Sequence, residues 1–163
     1  MKRNLSFLLL IPFLLSGLIF AQGNSAAGFE KIKSLAGEWE GKGHDDQMTS
    51  VSYEVISGGS AVMEVLNEGE DDNMVTVYHL DGDKLIMTHY CSSGNQPRMK
   101  AEMIDDNNIN FSFTNATNLA KTSDGHMYKL NFNFAGNNNF SQTWTWIEDG
   151  KEMPAAFNWK RKN

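Results

Sequence analysis

MVTVYHLDGDKLIMTHYCSSGNQPRM, residues 74–99, reads as two strand-length segments around the tight turn Asp81-Gly82, then a longer polar link, then the start of a third strand. Asp-Gly between apolar alternating runs is a two-residue hairpin signal. The link at residues 92–97 is too polar and too long for such a turn. Short and long connections therefore alternate, and the alternation extends outward in both directions. Strand candidates lie at residues 38–43, 48–56, 60–67, 74–80, 84–91 and 98–104, followed by 108–114, 127–134, 140–147 and 151–160. Tight turns fall at Gly58-Gly59, Asp81-Gly82, residues 105–107 and Gly136-Asn137, after the second, fourth, sixth and eighth strands. Longer links at 44–47, 68–73, 92–97 and 115–125 follow the first, third, fifth and seventh.

In an up-and-down sheet every second connection lies at the same end, so the four long links share one rim. Period-two alternation is clearest in Ile109, Phe111, Phe113 and in Leu130, Phe132, Phe134, with polar residues between them; such strands have one wet face. A meander of ten such strands removes its unpaired edges by closing on itself. The expected fold is all-β, a ten-stranded antiparallel up-and-down barrel, with a two-sheet sandwich as the alternative. Residues 29–35 (FEKIKSL) place Phe29, Ile32 and Leu35 on one side of a short amphipathic helix expected to close one end of the barrel.

Lys2 and Arg3 precede an apolar run from Leu5 to Phe20 that ends at Ala21. This is the three-part pattern of a signal peptide, so residues 1–21 are expected to be removed and 22–163 to form one domain, exported to the periplasm or secreted. The run is broken by Pro12, Ser16 and Gly17, so no membrane span is expected after processing. Loss of Lys2 and Arg3 takes the basic count from 14 to 12 against 20 acids, and the net charge from −6 to −8. Nucleic acid and anionic membrane surfaces are disfavoured partners. The single cysteine, Cys91, excludes an intramolecular disulfide. A monomer or weak dimer is expected, with no cofactor.

GEWEGKG, residues 37–43, opening the first strand after a short helix, resembles the Gly-x-Trp motif of the calycins, the superfamily of lipocalins and fatty-acid-binding proteins. The resemblance implies that Trp39 sits at the closed end and that Arg161 packs over it. Ten strands make the chain look more like fatty-acid-binding and nitrobindin-type barrels. Residues 74–99, with HMYKLNFNF (126–134) and QTWTWIEDGKE (142–152), are similar to an uncharacterised group of small exported bacterial lipocalin-like proteins, which brings no established activity. Nitrobindins hold haem through a histidine near the carboxyl end, and no histidine follows His126 here.

Candidate chemistry gathers at the long-loop rim. Strand five runs toward it and ends in His89, Tyr90 and Cys91; strand six leaves it with Arg98; strand eight leaves it at His126. If Leu85 and Met87 face the lumen, so do His89 and Cys91, but a one-residue change at Asp81-Gly82 exchanges the faces. The bland reading of His89 is a histidine hydrogen-bonded to a neighbouring strand, and that of Cys91 a small buried hydrophobe. Zinc or copper bound by His89, Cys91 and His126 is a minority reading, as is calcium in the acidic loop at 68–72.

Asn95, Gln96 and Arg98, stiffened by Pro97, form a candidate polar reader for a carboxylate or another oxygen-rich head group. Met87, Trp144 and other Met, Phe and Trp side chains are expected to line an apolar cavity. The reading is a binding protein for a small amphipathic or hydrophobic molecule whose polar end sits at the long-loop rim. An enzyme using His89 with Cys91 or a metal, and a packed barrel with no ligand, are the alternatives.

Overall fold

The computed structural model describes residues 19–43, 47–67 and 73–162. Most of the expected links at 44–47 and 68–73, and with them the candidate calcium loop, lie outside the described residues. A helix, α1 (Ile19–Lys33), is followed by ten strands: β1 (Gly37–Lys42), β2 (Met48–Ile56), β3 (Ala61–Leu66), β4 (Met74–Asp81), β5 (Lys84–Tyr90), β6 (Gln96–Ile104), β7 (Asn108–Thr117), β8 (His126–Phe134), β9 (Asn139–Glu148) and β10 (Lys151–Arg161). Each strand pairs antiparallel with its chain neighbours, and β1 pairs with β10, so the sheet closes into a barrel. Closure removes the open edges that a ten-strand meander otherwise presents.

Two turns show how local chemistry sets the register. Asp149 and Gly150 both take positive φ (50° and 76°) between the paired residues Glu148 and Lys151, the backbone a two-residue hairpin of matching twist requires. Between the paired Asp81 and Lys84 only Gly82 (φ 60°) takes positive φ, as the other favoured two-residue hairpin, with glycine in first place, requires. That register puts Leu85, Met87 and His89 on the buried face of β5, which decides the face that the sequence left open.

The short turns after β2, β4, β6 and β8 share the end that α1 covers. Phe29 and Ile32 of the helix are buried there, with Leu35 just past it. A side chain at Gly28 would press on Leu85 and Ile104, about 3 Å away, so the helix lies close against the rims of β5 and β6. The helix starts well before the expected residue 29 and crosses the expected processing boundary at residue 21. At the same end the Trp39 indole N–H donates to the Leu35 carbonyl (2.7 Å), and the Phe140 ring meets Trp39 edge-on. The Arg161 guanidinium stacks on Trp39 at 4.1 Å from the ring centre and donates to the carbonyls of Ala36 (2.8 Å) and Ser34 (3.0 Å). One planar cation thus ties the last strand to the helix exit and covers the tryptophan face.

Candidate functional site

Strand pairing lays out a polar row around the inner wall. Tyr53 on β2 stands opposite Glu64 on β3, Glu64 opposite Thr76 on β4, and Thr76 opposite His89 on β5. All four are buried. Successive inward positions on adjacent strands have Cβ atoms about 5 Å apart, so the row is continuous.

β9 faces this row across the lumen. Glu64 Oε2 accepts hydrogen bonds from the hydroxyls of Tyr53 (2.8 Å) and Tyr78 (2.6 Å) and, across the barrel, from Gln142 Nε2 (3.1 Å). Gln142 Oε1 in turn accepts from the Trp159 indole N–H (2.8 Å). Burial raises the Glu64 carboxyl above its usual range, and the donors from Tyr78, Tyr53 and Gln142 work against that rise. Burial and the Glu64 charge push both tyrosines well above their ordinary values. Two residues along β9, Trp144 packs its ring on His89, centroids 4.6 Å apart.

The His89 ring is anchored on one side alone. Its Nδ1 lies 2.9 Å from the Thr76 hydroxyl, while Nε2 is buried with no partner. Burial lowers its pKa from 6.5 to about 4, so the imidazole is neutral at physiological pH. Among the described residues the buried side-chain atoms without a partner are His89 Nε2, Trp144 Nε1 and Asn95 Oδ1.

Asn95 precedes β6 and donates from Nδ2 to the Gly125 carbonyl (2.9 Å), fastening the link after β5 to the link after β7. Cys91, half-buried, lies just beyond β5, where its N–H donates to the Asn95 carbonyl and its own carbonyl accepts from Gly94. It closes a turn past the end of β5, where the strand alternation that sets Met87 and His89 inward stops. His126 opens β8, buried between Phe113 (centroids 4.6 Å) and Tyr128, with Nδ1 2.7 Å from the Asp124 carbonyl. A carbonyl only accepts, so that nitrogen carries the proton. A bulge between Met127 and Lys129 interrupts the alternation between His126 and Leu130, and both of these residues are buried.

Gln96 and Arg98 are placed differently from expectation. Arg98 is exposed on the outer face, donating to Asn115 Oδ1 (2.9 Å). Gln96 staples the rim, donating to the Gly94 carbonyl and accepting from Thr117 and Asn118. The inward positions of β6 fall to Pro97 and Met99, because that parity matches Ala101 and the core. The polar reader is therefore split: Asn95 is buried, Gln96 and Arg98 brace the outside. No group of three His, Cys, Asp or Glu among the described residues is gathered closely enough to hold a metal ion.

Glu64, Thr76, Tyr78 and Gln142 were not among the residues singled out from the sequence. A glutamate between Met63 and Val65, on the inward parity of Val62 and Leu66, was the available signal.

The architecture defines a closed, helix-capped, ten-stranded antiparallel barrel. A solved protein of unknown function from the DUF3598 family of Nostoc punctiforme shares this fold, with a TM-score of 0.55 and 13% sequence identity over 80% of this chain and 49% of that one. The chain thus spans about half the length of that structure. No protein-family model matches the chain, and no curated protein matches it. Among the described residues no helix is long and apolar enough to cross a membrane.

Proposed function

We propose that this is an exported, calycin-like barrel that binds a small hydrophobic or amphipathic molecule through its long-loop end, with the polar part of the ligand against His89 and Trp144. The observation that carries the reading is the unequal treatment of buried polar groups along the barrel. Toward the helix-capped end the indoles of Trp39 and Trp159 and the phenols of Tyr53 and Tyr78 all have partners. Beside His89 they do not. A buried group left without a hydrogen bond costs about 1–3 kcal/mol, and two such nitrogens, His89 Nε2 and Trp144 Nε1, sit on rings packed at a 42° tilt with centroids 4.6 Å apart. A ligand that satisfies them gains that amount on binding.

Leu66, Met74, Met87 and Met99 supply apolar surface toward the same end, and methionine repacks readily around irregular guests. The Glu64–Gln142 bridge and the aromatic fill around Phe111, Phe132 and Phe140 favour a packed interior below this level, so binding is confined to the long-loop half. The stack of Arg161 on Trp39 supports the calycin likeness, and the basic start and apolar run of the first 21 residues support export.

Native mass spectrometry of protein purified from its own host tests the reading. A retained small molecule, lost in Trp144→Phe, is expected; protein that is always empty, with an indole N–H of Trp144 unmoved by lipid extracts in NMR, refutes it. Export predicts an intact mass lacking the leader, with the chain beginning near Gln22.

A further inference from the structure

We infer that the lumen selects a ligand whose buried head is uncharged and carries both a hydrogen-bond donor and an acceptor, a hydroxyl or an amide, and that it discriminates against carboxylates and ammonium groups. This rests on the lumenal binding reading above and names the class of ligand. Among the described residues, the buried set contains no lysine or arginine, and its one acid is Glu64. Arg98, the cation of the expected polar reader, is exposed on the outer face of β6, where it donates to Asn115. A carboxylate entering beside His89 therefore meets no positive charge, and it approaches a row that already holds a buried carboxyl. The neutral donors beside it, the Trp144 N–H and His89 Nε2 in one tautomer, do not offset the cost of desolvating a full charge.

An ammonium head fails for a different reason. Glu64, two strands from His89 on the inner wall, is held by three donors at Oε2, and the free group on Trp144 is an N–H, which donates only. That N–H demands an acceptor on the ligand. His89 Nε2 accepts if Nδ1–H donates to the Thr76 hydroxyl, and donates if the Thr76 O–H donates to Nδ1. A hydroxyl or primary amide satisfies both nitrogens in either tautomer, because its oxygen can accept from two N–H groups and its own hydrogen serves Nε2 when that nitrogen accepts.

A matched series separates the possibilities: decan-1-ol, decanamide, decanoate and decylamine, titrated calorimetrically into the protein at pH 7. If the site takes neutral heads alone, the acid and amine bind only through their minor uncharged forms. The penalty then reaches up to roughly several hundredfold for decanoate and more than a thousandfold for decylamine, from ordinary carboxyl and amine pKa values. Between pH 7 and 5 the decanoate affinity rises up to about tenfold per unit while the decanamide affinity stays level.

The groups facing the site are His89 on β5, Glu64 on β3, Tyr53 on β2 and Tyr78 on β4, with His126 at the head of β8. Decanamide carries no titrating head, so any pH effect of the protein itself registers on it and it serves as the internal reference. Decanoate binding as tightly as decanamide at pH 7, or without pH dependence, overturns the ligand class and leaves the binding reading intact. Failure of all four to bind overturns both.

Discussion

Trp144 and Trp159 form a matched pair for measuring what an unpartnered indole does to this barrel. Both are buried at 2% exposure, both point inward, and Trp→Phe removes the same atoms from each. The loss of packing and the small cavity that follows are similar at the two sites and largely cancel in the comparison. The hydrogen bonding does not cancel. Trp159→Phe leaves Gln142 Oε1 without its 2.8 Å donor, at about 1–3 kcal/mol. Trp144→Phe removes an N–H that has no partner, relieving about the same amount.

Trp159→Phe is thus expected to be the more destabilising by roughly 3 kcal/mol, within a range of about 2–6 from the two terms. With a urea slope of about 2 kcal/mol/M, the midpoints of the two variants separate by about 1.5 M. Far-UV circular dichroism is the suitable readout, because it does not depend on the tryptophans being replaced. Equal midpoints at equal slopes refute the reasoning, since they mean that the Trp144 N–H is as well satisfied as that of Trp159.

His89 gives a pH signature of definite sign. Its folded pKa of about 4 lies below the ordinary 6.5, so between those values the unfolded chain binds more protons and stability falls on acidification, by up to about 3 kcal/mol for 2.5 units. His89→Gln should flatten the stability profile between pH 6.5 and 4, and an unchanged slope in urea titrations across that window argues against a buried neutral imidazole. Gly41→Ala should destabilise by about 2–3 kcal/mol, because the new Cβ would stand 2.0 Å from the Asn158 carbonyl oxygen at the β1–β10 seam; a melting temperature within a degree or so of wild type contradicts that close approach. Arg161→Lys should weaken hydrogen-exchange protection in residues 24–36 and lower stability by about 1–2 kcal/mol, since lysine supplies neither the stacked plane nor both carbonyl bonds; full protection in that variant means the guanidinium geometry is dispensable.

The barrel and its polarity were legible in the sequence because they follow from local rules. Period-two alternation and the Gly and Asp turns set ten strands, and the alternation of short and long links placed His89, Asn95 and His126 at one end without any knowledge of packing. The contact of Arg161 with Trp39 was implied by the resemblance alone, and the structure contains it. Three things were decided by tertiary structure alone. The face of β5 depended on the hairpin register at Gly82, since one residue of slip exchanges inside and outside. The outward turn of Arg98 depended on Met99 and Pro97 taking the inward parity of β6. The Glu64–Gln142 and His89–Trp144 meetings join β3 and β5 to β9, residues some 55 to 78 positions apart, and such meetings exist only once the sheet has closed. Alternation fixes which way a side chain points; what it meets across the lumen is set by barrel closure and strand stagger, neither of which is written in any local stretch of the chain.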